Sequence, residues 1–112
     1  MVIADIARIL DAEPLTGTEN YDLEIKSACG SDMMSDVLAF YKEDGVLLTG
    51  LMNPQVVRTA QMMDIRCIVF VRGKRPAENI LQLAMENDIT ILCTKNRLFS
   101  ACGKLFAAGM PE

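Results

Sequence analysis

The sequence predicts an α/β fold, a small mostly parallel sheet with βαβ crossovers. Three observations carry this. Short apolar runs at 46–49, 67–71 and 89–94 alternate with segments of helical period. Each run leads into a turn containing Gly or polar residues. An Asp-Ile step, Asp64-Ile65 and then Asp88-Ile89, returns the chain from a helix to the next run. Apolar strands separated by helices imply parallel pairing, because a parallel neighbour is reached only through a crossover. The repeat is a βα unit, and three units are too few for a closed barrel.

Taken in order, Ile3, Ile6, Ala7 and Leu10 mark one face of a first helix, which stops before Pro14 because a residue preceding proline avoids helical backbone. Leu15-Thr16-Gly17 reads as a short extended piece and a turn. Leu23, Ile25 and Ser27 alternate as in a strand. Ser31 or Asp32 is placed to cap a helix carrying Met33, Val37, Leu38 and Tyr41, ended by Asp44-Gly45. After the run Val46–Thr49 and Gly50, Asn53-Pro54 supplies an N-cap and a proline at the first helical position. Val56, Val57, Ala60 and Met63 form the inner face there. Arg72-Gly73-Lys74-Arg75 follows the second run, and Pro76 opens a helix with Ile80, Leu81, Leu83, Ala84 and Met85. Asn96 is placed to cap a last helix whose inner face is Leu98, Cys102, Leu105 and Phe106, with Gly109 ending it.

With 112 residues, 51% of them hydrophobic, the chain reads as a single domain over 1–112 with a real core, and no linker interrupts it. Aromatic residues make up 5% and Trp is absent, so base stacking has little to work with. The net charge of −4 also argues against nucleic acid as a partner. The complete lack of His removes Ser-His and Cys-His catalysis and histidine metal sites. Cys29, Cys67, Cys93 and Cys102 contain no C-x-x-C pair, so no zinc or redox motif is present, and no metal or cofactor is expected. Cys67 and Cys93 read as buried, inert thiols. The start carries no signal core, and the longest apolar run, Cys67–Val71, is far too short to cross a bilayer. The expectation is a reduced, cytoplasmic protein without a membrane partner.

Charge is unevenly placed. Residues 1–44 hold ten acids and three bases, whereas residues 45–112 hold five acids and eight bases. Five bases, Arg72, Lys74, Arg75, Lys95 and Arg97, fall in two turns between a strand and a helix. In a parallel sheet such turns share one edge, where helix N-termini present free N–H groups and the positive end of the dipole. The candidate ligand-binding residues are therefore Thr49, Gly50 and Asn53 from the first turn, Arg72, Gly73 and Lys74 from the second, and Thr94 and Lys95 from the third. They could hold a phosphate, a nucleotide or a partner's carboxylate. Glycines and caps are also simply how βα turns are made.

Arg72-Gly73-Lys74-Arg75 is not a Walker A loop: Ile68 stands where its first glycine belongs, and Arg75 replaces the Ser or Thr. No G-x-G-x-x-G occurs. Asp32 and Asp36 are four apart and could serve a metal or acid–base role, with capping as the simpler use of Asp32. Cys29-Gly30-Ser31-Asp32 lacks a histidine base. The chain holds eight Met, and adjacent pairs cannot both face one core from a helix, so Met34 or Met62 is expected at an interface.

The stretches Ser31–Ala39, Gly45–Ala60 and Ile68–Pro76 together resemble the DRTGG domain family, and the resemblance covers nearly the whole chain. No literal Asp-Arg-Thr-Gly-Gly occurs; Leu48-Thr49-Gly50 and Val71-Arg72-Gly73 are the nearest pieces. The resemblance implies a fold similar to the amino-terminal domain of HPr kinase/phosphorylase, whose P-loop lies in a separate domain absent from these residues. It also implies an accessory module of the kind found beside CBS pairs in pyrophosphatases and within some phosphate acetyltransferases. The expected function is a non-catalytic regulatory or interaction domain that forms a homodimer or meets a protein partner. The alternative is a small-molecule sensor binding a nucleotide or other phosphate-type anion at the strand-end turns. A carboxylate–metal enzyme would need Asp32 or Asp36 to meet another acid in a pocket.

Overall fold

A computed structural model describes residues 1–112. Five strands form one sheet in the order β1-β5-β4-β3-β2. They are β1 (Glu13–Thr16), β2 (Ser27–Gly30), β3 (Gly45–Thr49), β4 (Cys67–Phe70) and β5 (Thr90–Cys93). β2, β3, β4 and β5 run parallel, and β1 closes the other edge antiparallel to β5. The helices are α1 (Ile3–Ile9), α2 (Met34–Phe40), α3 (Pro54–Met62), α4 (Glu78–Glu86) and α5 (Leu98–Ala107).

Strand alternation splits the core into two layers. Val46, Leu48, Cys67, Val69 and Leu92 face α1 and α5, packing with Ile3, Ile6, Leu10, Ala101 and Leu105. Leu47, Ile68, Phe70 and Ile91 face the other way, onto Val37, Val56, Val57, Ala60, Ile80 and Ala84 of α2, α3 and α4. Both faces are covered, so the central strands read as continuous apolar runs. The returns to the sheet use aspartate in the left-handed region: Asp44 and Asp64 at φ 57° and Asp88 at φ 55°. Aspartate tolerates that backbone better than most residues, which explains the recurring Asp-Ile step.

Several expectations shift. The strand expected over Leu23–Ser27 lies at Ser27–Gly30, and Glu24 makes only an isolated bridge to Val2. Leu23 is partly buried against the α1 layer and Ile25 is buried within it, so their alternation reflects packing, not a ladder. α2 ends at Phe40, before Asp44-Gly45, and α4 begins at Glu78, two residues past Pro76. Asn53 does cap α3, its Oδ1 accepting the Gln55 N–H at 2.6 Å. Of the Met pairs, Met33 and Met62 are exposed while Met34 and Met63 pack on the core, so of the two residues expected at an interface Met62 is turned to solvent and Met34 is not. Phe106 is also exposed; Ala101 and Leu105 form the buried stripe of α5.

Candidate functional site

The parallel register sets Thr49, Phe70 and Cys93 side by side, so the turns after β3, β4 and β5 leave the sheet at one end. α4 leaves β4 for one face and α5 leaves β5 for the other, and open α/β sheets favour ligands at such a reversal. The turns are stitched together there. The Val71 N–H donates to the Thr49 carbonyl at 3.1 Å, the Gly73 N–H to Thr94 at 2.8 Å, and the Arg72 N–H to Asn96 at 2.8 Å.

Arg72 has φ +67° and Gly73 φ +69°. The left-handed region costs a long side chain about 1–2 kcal/mol, which the neighbouring hydrogen bonds offset. The Arg72 guanidinium donates through Nη2 to the Gly50 carbonyl at 3.1 Å. A Cβ on Gly50 would lie 2.6 Å from that nitrogen, so the glycine is what admits the guanidinium.

Asp32 completes the rim and is not a helix cap. Its Oδ1 accepts the Gly50 N–H at 2.7 Å and the Thr49 hydroxyl at 3.1 Å. The chain's own carboxylate therefore occupies the place an anion would take at that N–H. Asp36 instead lines a groove beside β2, so the two acids serve different places. No cluster of three or more Cys, Asp or Glu side chains is positioned to hold a metal ion.

Of the sequence-predicted residues, Thr49 and Thr94 are buried and engaged within the fold. The Thr94 hydroxyl donates to the Leu10 carbonyl at 2.8 Å and accepts the Asn96 N–H at 3.2 Å. Asn96 does not cap α5; its Nδ2 donates to the Leu10 carbonyl at 3.0 Å, tying α1 to the β5 turn. Gly50 is buried, and Asn53 is the α3 cap. Arg72, Gly73, Lys74 and Lys95 are exposed, and none of these three cations has an acid within ion-pair distance. Arg75 differs, pairing with Glu13 at 2.6 Å. Sequence reasoning missed Lys104, which donates to Asn96 Oδ1 at 2.8 Å and lines a shallow cleft of about 270 Å³ with Leu10, Asp11 and Lys95. Its only sequence signal was its position on the last helix.

A second region lies at the opposite edge of the sheet. β2 is an edge strand whose outer side makes one backbone bond, from Ala28 N–H to the Pro111 carbonyl at 3.0 Å. A groove flanks it on each face. One, of about 430 Å³, is lined by Cys29, Asp36, Phe40 and Lys42; the other, of about 400 Å³, by Phe99, Cys102, Gly103, Phe106 and Met110. Phe40, Phe99 and Phe106 are 73%, 90% and 74% exposed, so all but one of the chain's four Phe are turned to solvent along this edge.

The thiols are built to stay neutral. Burial pushes Cys67 up to about 12 and also raises Cys29, Cys93 and Cys102. The nearby Asp36 raises Cys29 further, and Cys29 does the same to Cys102. A thiolate nucleophile is disfavoured at all four. No helix is long and apolar enough to cross a membrane.

The comparisons agree with this architecture. A solved structure of the CBS and DRTGG domains of the regulatory region of Clostridium perfringens pyrophosphatase, complexed with the activator diadenosine tetraphosphate, is similar at TM-score 0.77 and 20% identity. The match covers 93% of this chain but only 45% of that one, and at this identity it establishes the fold. No protein of curated function matches. The model of the DRTGG domain family matches residues 5–107, nearly the whole sequence, and the chain belongs to that family.

Proposed function

We propose that this DRTGG domain is a non-catalytic regulatory module that works through protein contact, self-associating as a homodimer in the reducing cytoplasm. One contrast carries the reading. The polar groups at the strand-end rim are largely committed to the fold, Asp32 on Gly50 and Thr49, Thr94 on Leu10, while large apolar side chains stand exposed along the β2 edge. Exposed aromatic patches mark interaction surfaces. The C. perfringens regulatory region, which shares the fold, supports an accessory role. Sedimentation velocity at micromolar concentration tests it. A species of twice 12.3 kDa is expected, and a sharp boundary at 12.3 kDa throughout would remove self-association.

A second reading is a nucleotide or phosphate sensor at the rim. It is favoured by the exposed cations Arg72, Lys74 and Lys95, none of which is in an ion pair, and by the nucleotide in the structurally similar complex. Thermal melting with inorganic phosphate, ATP and diadenosine tetraphosphate tests it. A concentration-dependent rise abolished by Lys74→Ala and Lys95→Ala supports the sensor, and an unmoved midpoint removes it.

A further inference from the structure

We infer that the solvent-facing stripe of α5 is the self-association surface, packing antiparallel against α5 of a second copy across a two-fold axis near Gly103. This deepens, and rests on, the homodimer reading. α5 has two apolar stripes. Ala101 and Leu105, four apart, are buried against the sheet. Phe99, Gly103 and Phe106, at i, i+4 and i+7, fall on one face pointing to solvent. A surface helix ordinarily carries polar residues there.

Gly103 is the observation that names the occupant. Glycine is the poorest ordinary residue inside a helix, and a Cβ at this position would meet nothing within 4 Å. Gly30 and Gly50 are explained by the atoms that approach them, Cys102 Sγ and the Arg72 guanidinium, but nothing in this chain approaches Gly103. A missing side chain between two exposed rings lets another helix backbone come close.

The spacing also fits a symmetric partner. Phe99 and Phe106 are seven residues, about 10 Å, apart along the helix. The midpoint between them falls between Cys102 and Gly103. A two-fold axis through that midpoint sets Phe99 against the partner copy's Phe106, and Phe106 against its Phe99. This reciprocity is what an isologous interface requires. The groove of about 400 Å³ beside the stripe has a single charged lining residue, Glu112, so ring and groove lie on the same patch. Two aromatic rings bury about 300–500 Å² per copy, a large part of the about 800 Å² per partner of a standard interface.

Light scattering of the full chain from about 1 to 100 µM tests this with Phe99→Glu, Phe106→Glu, Gly103→Leu and, as a control on α3, the exposed Met62→Lys. The wild type and Met62→Lys are expected to be dimers. The α5 variants should weaken the dimer by at least about 30-fold while keeping a native circular dichroism spectrum. Gly103→Leu is the sharpest of them, since it adds atoms only where the single chain leaves open space. A dimer that survives all three α5 variants would overturn this surface and leave the homodimer reading standing. A wild type that stays monomeric at the highest concentration would overturn both.

Discussion

The strand-end rim and the outer stripe of α5 draw on the same chain in opposite ways. At the rim, residues whose types signal ligand chemistry are closed onto one another: Asp32 on the Gly50 N–H, Arg72 on the Gly50 carbonyl, Thr94 on Leu10. On α5, residues whose type signals a core have no partner: Phe99 and Phe106 stand in solvent with Gly103 between them. Residue type alone does not separate structure from function. What separates them is whether each group has its partner inside the chain.

The largest expected contrast is between two phenylalanines. Phe70 is fully buried between β4 and the α2–α4 layer, so Phe70→Ala should cost about 3–5 kcal/mol in urea unfolding. Phe99→Ala, measured at the lowest usable concentration so that association does not contribute, should change stability by less than about 0.5 kcal/mol. Equal costs would mean that the α5 stripe packs within its own chain.

Next in size is the rim carboxylate. Asp32→Ala leaves the Gly50 N–H and Thr49 hydroxyl without their acceptor and should cost about 1–3 kcal/mol, with Asp32→Asn recovering part of it. A neutral Asp32→Ala would contradict the closed rim. Gly50→Ala should cost roughly 1 kcal/mol, because its Cβ displaces the Arg72 guanidinium. In the Arg72→Ala background the same change should cost less, and additive costs in a double-mutant cycle would mean the two residues are uncoupled.

The remaining predictions concern titration. Cys67 is neutral in the fold up to about 12, from an ordinary value of 9.0. A raised thiol value stabilises the fold fully below the unfolded value, and that contribution is lost as pH climbs through the folded one. The wild type should therefore lose stability between pH 9.0 and about 12 more steeply than Cys67→Ala, as read by urea midpoints. Asp5 has the opposite sign. The Val2 N–H, and then Arg8, hold its carboxyl below the usual value, so its contribution is present above that range and fades on acidification. Asp5→Asn should flatten the acid limb of the stability profile.

The parallel sheet was legible because β3, β4 and β5 are buried on both faces and appear as unbroken apolar runs. Asn53-Pro54 and the two Asp-Ile steps mark where the helices begin and end. β2 was less legible. Ser27-Ala28-Cys29-Gly30 is a run of small residues, and the stronger alternation at Leu23 and Ile25 belongs to packing against α1. The rim could be placed but not its closure, because Asp32 reaches Gly50 across 18 positions and nothing local distinguishes that contact from a cap. On α5 nearly every residue is apolar, so the helical period fits more than one inner stripe. By period alone Phe106 reads as inward, but Ala101 and Leu105 fill that layer and turn it to solvent, which the sequence does not reveal.

Disulfide trapping tests the account most directly. Gly103→Cys, in a background with Cys29 and Cys102 changed to Ser, places a thiol beside the proposed axis, and a disulfide forms only where Cα atoms approach within about 7 Å. Mild oxidation at micromolar concentration should convert this variant to a covalent dimer, while Met62→Cys in the same background stays monomeric on a non-reducing gel. A Gly103→Cys chain that itself sediments as a dimer and yet remains uncrosslinked would contradict the account.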